Sequence, residues 1–329
     1  MYGTLISLLM GIKNLLKLIN MYPDLIVEKE FSEYKNKKIA IDISILLYQV
    51  VISVRNTGSD LMNSKGEITS HILGLFNKTI KLLENKIIPI YVFDGKPPEL
   101  KKKVLDMRKS IRKKAEEKMS NAETEEEKIK YFKRSVSISK KQLDECRGLL
   151  DMMGVPYVNA PQEADSQCAW LAKSGLVDAV LTEDMDILTF GSPKIVKNLT
   201  SVRKNPVEID LLNLKDKFGW TQEQFIEICI LLGCDYTDNL GDIYFLKIFH
   251  EFQKNKSIKD VLQKLKREID YKGAISYFKN PVVNDNVGNL NIKVSNLGEL
   301  EDQLVNKYGL IKYKLKKKIE ILRIFQKNK

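Results

Sequence analysis

Glu163 and Asp165, then Asp184 and Asp186, form two i, i+2 pairs of carboxylates about one βα unit apart. The second pair follows the apolar run Ala179-Val180-Leu181, where open α/β sheets place their ligands. Four carboxylates brought to one site repel one another unless a cation sits between them, and hard oxygen ligands favour Mg²⁺ or Mn²⁺. Residues two apart on a regular helix point to different faces, so Glu163 and Asp165 converge only from a first turn. Pro161 suits a first helical position, and the positive end of a helix dipole favours both acids. An ordinary pair of first-turn acids would look the same, so the weight falls on the acids elsewhere.

Three more stand at element ends. Asp42 closes the apolar run 38–42, Asp94 closes 87–94, and Asp235 follows the periodic run Phe225, Ile228, Cys229, Leu231, Leu232. A single aspartate after a strand is usually a cap or turn residue. Seven such acids in a chain of formal net charge +11 are the layout of a two-metal phosphodiesterase, in which paired Mg²⁺ ions activate water and stabilise the leaving oxygen. Basic residues outside the nest hold the remaining phosphates. The two histidines, His71 and His250, leave little from which to build an imidazole relay. Cys146, Cys168, Cys229 and Cys234 lack zinc-ligand spacing and suit a reducing, intracellular setting.

The elements that must position these acids follow a β-then-α rhythm. A short amphipathic helix is expected on Ile12, Leu15, Leu16, Leu18 and Ile19, helices over 43–54 and 70–84, and a helix over 139–153 stopped by Gly154. Short strands or strand-to-helix passages are expected near 195–199 and 207–212, and Thr221 caps the next helix. Residues 100–141 crowd lysine and arginine around an acidic island at 123–127, which predicts an exposed helical excursion from the sheet. The 329 residues, 43% apolar, suffice for a full α/β core, and no apolar run reaches the length of a membrane span. Past residue 279 the chain has loop character and then a basic helix over 307–327.

The runs Met10-Gly11-Ile12, Ile39-Ala40-Ile41-Asp42, 91–98 (YVFDGKPP), 160–165 (APQEAD), 182–186 (TEDMD) and 232–236 (LGCDY) together resemble the flap endonuclease branch of the structure-specific 5′ nuclease (XPG-type) family, in order and spacing over roughly residues 10–265. The resemblance implies an α/β fold: a central, mostly parallel sheet flanked by helices, with a basic helical arch and a helix-hairpin-helix-like element. It divides the chain into an N-terminal nuclease region (10–115), the arch (100–141), an internal nuclease region (142–236), the helix-hairpin-helix-like element (221–268) and a C-terminal loop and helix (280–329).

By the same resemblance, two Mg²⁺ ions (Mn²⁺ as substitute) are held by Asp94, Glu163 and Asp165 with Asp42 nearby, and by Asp184 and Asp186 with Asp235. Lys101 and Arg108 reach the scissile phosphate, Tyr48 stacks on a base, and Arg55, Lys78, Lys96, Arg112 and Lys247 are expected DNA contacts. The expected partner is branched or flapped DNA, cut by a monomer in replication and repair, in the nucleus if the source is eukaryotic or at the host-cell replication site if viral. Other readings are a non-cleaving junction-binding scaffold, or a related 5′ exonuclease or Holliday-junction resolvase. No glutamine-led, aromatic-ended sliding-clamp peptide is recognisable near residue 329. Met10 is expected to be the working initiator, since the family begins at the corresponding Met-Gly. One departure stands out: the family's Gly-Ile-Gly-Pro-Lys-Arg hairpin is replaced by Asp242-Ile243-Tyr244-Phe245-Leu246-Lys247. The glycines let backbone N–H groups approach a duplex phosphate and hold a monovalent cation, so a weaker grip on the duplex is expected.

Overall fold

The computed structural model describes residues 11–201 and 204–327, so Met10 lies outside the described residues. The strands are β1 (Val27–Glu28), β2 (Lys38–Asp42), β3 (Ile88–Phe93), β4 (Tyr157–Asn159), β5 (Ala179–Leu181), β6 (Lys194–Lys197) and β7 (Val207–Asp210). The helices of the first half are α1 (Leu15–Ile19), α2 (Ile43–Arg55), α3 (Ser70–Glu84), α4 (Lys102–Ser120), α5 (Glu125–Arg134) and α6 (Lys140–Met153). Then come α7 (Ala164–Lys173), α8 (Asp186–Thr189), α9 (Leu211–Phe218), α10 (Gln222–Leu232) and α11 (Phe245–Asn255). The last are α12 (Ile258–Leu265), α13 (Lys272–Lys279), α14 (Leu297–Asn306) and α15 (Lys312–Lys327). The fold is α/β, and its strands pair mostly in parallel.

The chain forms two compact units. The first holds residues up to 30, 94–106 and 160–285. Here β5 and β6 run parallel, while β7 lies antiparallel to β6 and β1 antiparallel to β7. Ala179, Val180, Ile195, Val196 and Ile209 are buried along these strands, the near-continuous apolar pattern of a sheet covered on both faces. Thr221 and Gln224 form a reciprocal capping box at the start of α10, satisfying two N–H groups that the helix leaves unpaired. Phe225, Ile228, Leu232, Phe249 and Leu262 are buried, so α10, α11 and α12 share an apolar core despite the altered sequence between α10 and α11. In that altered segment Asp242 and Tyr244 are exposed, and Tyr244 is the N-cap of α11.

The second unit holds 31–93, 107–159 and the residues from 286 onward. Parallel β2, β3 and β4 form its sheet, with Ile41 opposite Tyr91 and Tyr91 opposite Tyr157. The Tyr91 hydroxyl, buried at the centre, pairs with Thr79 Oγ1 at 2.8 Å, which satisfies both polar atoms away from water. Ser139 and Gln142 form the capping box of α6, and Gly154 ends it at φ 68°, a left-handed conformation that favours glycine. Of α4 and α5 only Ala115 is buried, as the thinning of large apolar residues in 100–141 predicts. α14, an element the Asn- and Val-rich sequence after 279 does not announce, precedes the basic helix α15.

Candidate active site

Each acid of the first unit owes its position to a turn at an element end. Asp94 is the exposed member, and its Oδ1 accepts the N–H of Ala164 at 2.9 Å. Next to it, Gly95 N–H donates to the Gln162 carbonyl at 2.6 Å and Lys96 N–H to the Pro161 carbonyl at 3.1 Å. A Cβ on Gly95 would lie 2.3 Å from the Ala160 carbonyl oxygen and 2.4 Å from that of Pro161, so only glycine permits this crossing. Pro161 therefore does not open the helix as expected. Its carbonyl is committed to the crossing, and α7 begins three residues later with Glu163 as N-cap and Asp165 in the first turn. The two carboxylates still surround the helix's positive end.

After β5, Thr182 Oγ1 accepts the Asp184 N–H and Asp184 Oδ1 accepts the Asp186 N–H, both at 2.9 Å. These nested turns deliver Asp186 to the start of α8. Gly11, at φ 70°, packs directly against them: a Cβ there would stand 1.9 Å from Asp184 Oδ1. Asp235 is set by the turn after α10, where Gly233 takes φ 101° and its carbonyl accepts the Lys13 N–H at 2.8 Å.

Glu163, Asp165, Asp184, Asp186 and Asp235 are all buried, with Glu163, Asp235 and Asp165 acting on Lys101 and Asp184 and Asp235 acting on Asp186. Lys101 Nζ donates to Glu163 Oε1 and lies 3.6 Å from Asp235 Oδ2. Burial alone would lower the Lys101 pKa, but Glu163, Asp235 and Asp165 more than reverse this and raise it. The other Glu163 oxygen, Oε2, accepts the hydroxyls of Tyr236 and, at 3.2 Å, Tyr277. Burial, and then the adjacent Glu163, push both phenols upward, so they stay protonated and donate. Asp186 is 1% exposed. Its pKa is raised well above the ordinary value, by burial first and then by Asp184 and Asp235, and its Oδ1 has no hydrogen-bond partner among the described residues.

The donors are all hard carboxylate oxygens, Asp186 Oδ1 is buried without a hydrogen-bond partner among the described residues, and Lys101 offsets part of their mutual repulsion. That chemistry fits a divalent cation. Among the described residues no three ligand-type side chains stand at metal-coordinating spacing. Lys101 stands against Glu163 and Asp235, and Asp184 Oδ1 accepts the Asp186 N–H.

Asp42 belongs to the second unit. It is buried at the end of β2, where its Oδ1 accepts the N–H groups of Ser44 at 2.7 Å and Ile45 at 3.4 Å and caps α2. Tyr48 is half-buried on α2, 3.4 Å from Arg112 Nη1, and Arg108 is half-buried on α4. Lys96 and Lys247 are exposed and Lys78 is half-buried, with burial lowering its pKa. Arg55 is a brace. Its guanidinium donates to Asp60 at 3.2 and 3.1 Å and to the Phe132 carbonyl at 2.8 Å, and lies 4.0 Å over the Phe132 ring, tying α2 to α5. The Tyr277 contact was not legible in the sequence, since it arises on α13, more than a hundred residues from Glu163.

Comparison with known proteins adds an independent line. The XPG N-terminal domain model matches residues 10–115 and the XPG I-region model residues 154–235. Flap endonuclease 1 of Homo sapiens is 44% identical over 78% of this chain and 69% of its own length, and that of Glycine max 42% identical over 97% and 88%. Among solved structures, flap endonuclease-1 from Methanococcus jannaschii superposes with a TM-score of 0.75 at 38% identity, covering 92% of this chain and 96% of that one. The catalytic core of Rad2 in complex with DNA substrate, 22% identical with a TM-score of 0.75 over 95% of this chain and all of that one, shares the fold.

Proposed function

Because this chain belongs to the flap endonuclease branch of the XPG family, whose members are metal-dependent nucleases, we propose that it is a structure-specific 5′ flap endonuclease of DNA replication and repair, using two Mg²⁺ ions held by its carboxylate cluster. The grouping of Glu163, Asp235 and Asp165 around Lys101, with buried Asp186 beside Asp184 and Asp235, carries the reading, since a mere binder of polyanions gains nothing from a nest of negative charge. Asp94, Glu163 and Asp165, joined on family resemblance by Asp42, would hold one cation, and Asp184, Asp186 and Asp235 the other. When bound, the pair would supply a Lewis acid and an activated water at neutral pH.

The chain's own groups do the rest. Lys101, whose ammonium stands beside Glu163 and Asp235, would offer positive charge to the scissile phosphate, where charge builds in the transition state. By family resemblance Arg108, half-buried on α4, would offer a second cation to the phosphate. Tyr48 offers a ring to a base at the junction. The lysines and arginines that leave α4 and α5 almost wholly exposed supply the salt-dependent affinity for phosphates. Asp242 and Tyr244 weaken the hold on the downstream duplex relative to a glycine hairpin, leaving Lys247 as the one basic group of the altered segment.

Incubation of the protein with 5′ flap, nicked and four-way DNA, with Mg²⁺ or with EDTA, tests the reading. Mg²⁺-dependent incision at the flap junction is expected. Binding without incision would make the protein a scaffold, and preference for the four-way substrate would make it a resolvase.

A further inference from the structure

We infer that Tyr277 is a positioning residue for metal binding: with Tyr236 it immobilises Oε2 of Glu163, so that only Oε1 is presented to a cation. This inference rests on the metal-site reading above and deepens it. Both phenol hydroxyls donate to the same carboxylate oxygen, while Lys101 Nζ takes the other, so the two oxygens of Glu163 face chemically different partners. Two phenol hydroxyls fix Oε2, and a cation marks the position of Oε1.

The two tyrosines come from separate places in the chain. Tyr236 follows Asp235 in the turn after α10, whereas Tyr277 stands on α13. Their rings lie 4.9 Å apart, and each packs against Phe190, at 6.3 and 5.6 Å. Phe190 is the residue that ends α8, four positions after Asp186. Phe278 completes the wall, 4.9 Å from Phe190 and 5.0 Å from Tyr236. Glu163, Asp186 and Asp235 are thus all mounted on one aromatic cluster.

Filling that cluster would need only a ring, and Phe190 and Phe278 fill it without a polar atom. The Tyr277 hydroxyl is buried and reaches Glu163 Oε2 at 3.2 Å. Ser166 lies within hydrogen-bonding reach of the Tyr277 hydroxyl and donates its own hydroxyl to the Glu163 carbonyl at 2.9 Å. What the hydroxyl adds is orientation of the carboxylate. Without it Oε2 keeps one donor, and the carboxylate gains rotational freedom that cation binding must remove.

Calorimetric titration of the DNA-free protein with Mn²⁺ tests this, comparing wild type with Tyr277→Phe. Groups that orient metal ligands typically contribute 10–100-fold in affinity. Because Tyr236 remains, Y277F is expected to weaken Mn²⁺ binding by roughly threefold to tenfold, with 5′ flap binding in EDTA unchanged. In cleavage assays the Mg²⁺ concentration for half-maximal rate should rise by a similar factor, with the rate at saturating Mg²⁺ restored to within about twofold of wild type. Unchanged Mn²⁺ affinity in Y277F, with or without a lower melting temperature, would make the hydroxyl purely structural and overturn the inference. If wild type itself bound no divalent cation, the metal-site reading would fail instead.

Discussion

Gly95→Ala removes nothing and adds one methyl group, yet it acts at the crossing that joins the Asp94 loop to the Glu163 helix end. The new Cβ would meet two backbone carbonyl oxygens, at 2.3 and 2.4 Å, where ordinary contacts begin at 3.4 Å. Backbone cannot swing aside like a flexible side chain, so the two segments must part by roughly 1 Å at a site where such a misplacement can cost about 100-fold in rate. Parting them also stretches the Gly95 to Gln162 hydrogen bond, now 2.6 Å, and the 2.9 Å bond from Ala164 N–H to Asp94. Overpacking of this kind destabilises by about 1–3 kcal/mol. In a protein of this size that is a fall in melting temperature of about 1–4 °C. Thermal unfolding and single-turnover cleavage at saturating Mg²⁺ should show both losses, with flap binding in EDTA retained. A G95A protein that melts and cuts like wild type would show that the crossing does not set the geometry of Asp94.

Asp186→Asn is expected to stabilise the cation-free protein at neutral pH and to abolish cleavage. The raised pKa of Asp186 means that its stabilising contribution is present below the ordinary carboxylate pKa and is lost as pH rises, a loss that asparagine avoids. Thermal melts in EDTA at two pH values check this, and a destabilised D186N would contradict it. His71 behaves in the opposite sense. Burial lowers its pKa against the opposing hydrogen bond to Glu145, so stability is present above its ordinary pKa of 6.5 and declines as pH falls below it. Denaturant titrations in excess Mg²⁺ at about pH 7.5 and about pH 5.5 should show that decline, and His71→Gln should flatten it. Replacing Asp242→Gly, Tyr244→Gly, Phe245→Pro, Leu246→Lys and Lys247→Arg should tighten flap binding and make it depend on potassium over sodium. Unchanged binding would place the duplex grip elsewhere.

How far the sequence could be read depended on whether the cause was local. α6 was legible because Ser139, Gln142 and Gly154 carry its start and stop within the chain's own turns. The two carboxylate pairs were legible because strand ends and helix starts dictate where i, i+2 acids converge. Pro161 misled because its carbonyl accepts the Lys96 N–H, a contact between segments some 65 residues apart in sequence. Arg55 is an expected DNA contact by family resemblance, and its hydrogen bonds to Asp60 and Phe132, which brace α2 against α5, had no local signature in the sequence. Tyr277 gave only the i, i+3, i+4 pattern of Ala274, Tyr277 and Phe278, enough to suggest a helix but not the carboxylate that its hydroxyl meets. The antiparallel pairing of β1 with β7 rests on two residues, too short to leave a periodic signature.

The central claim is that the buried acids perform the chemical step while the basic surface supplies affinity. It is tested most directly by measuring, on one 5′ flap substrate with Mg²⁺, both the binding and the single-turnover cleavage of Asp184→Ala and Asp94→Ala beside wild type. Binding within a few-fold of wild type with no detectable incision is the predicted result. Incision by either variant at the wild-type rate, or loss of binding in step with loss of incision, would contradict it.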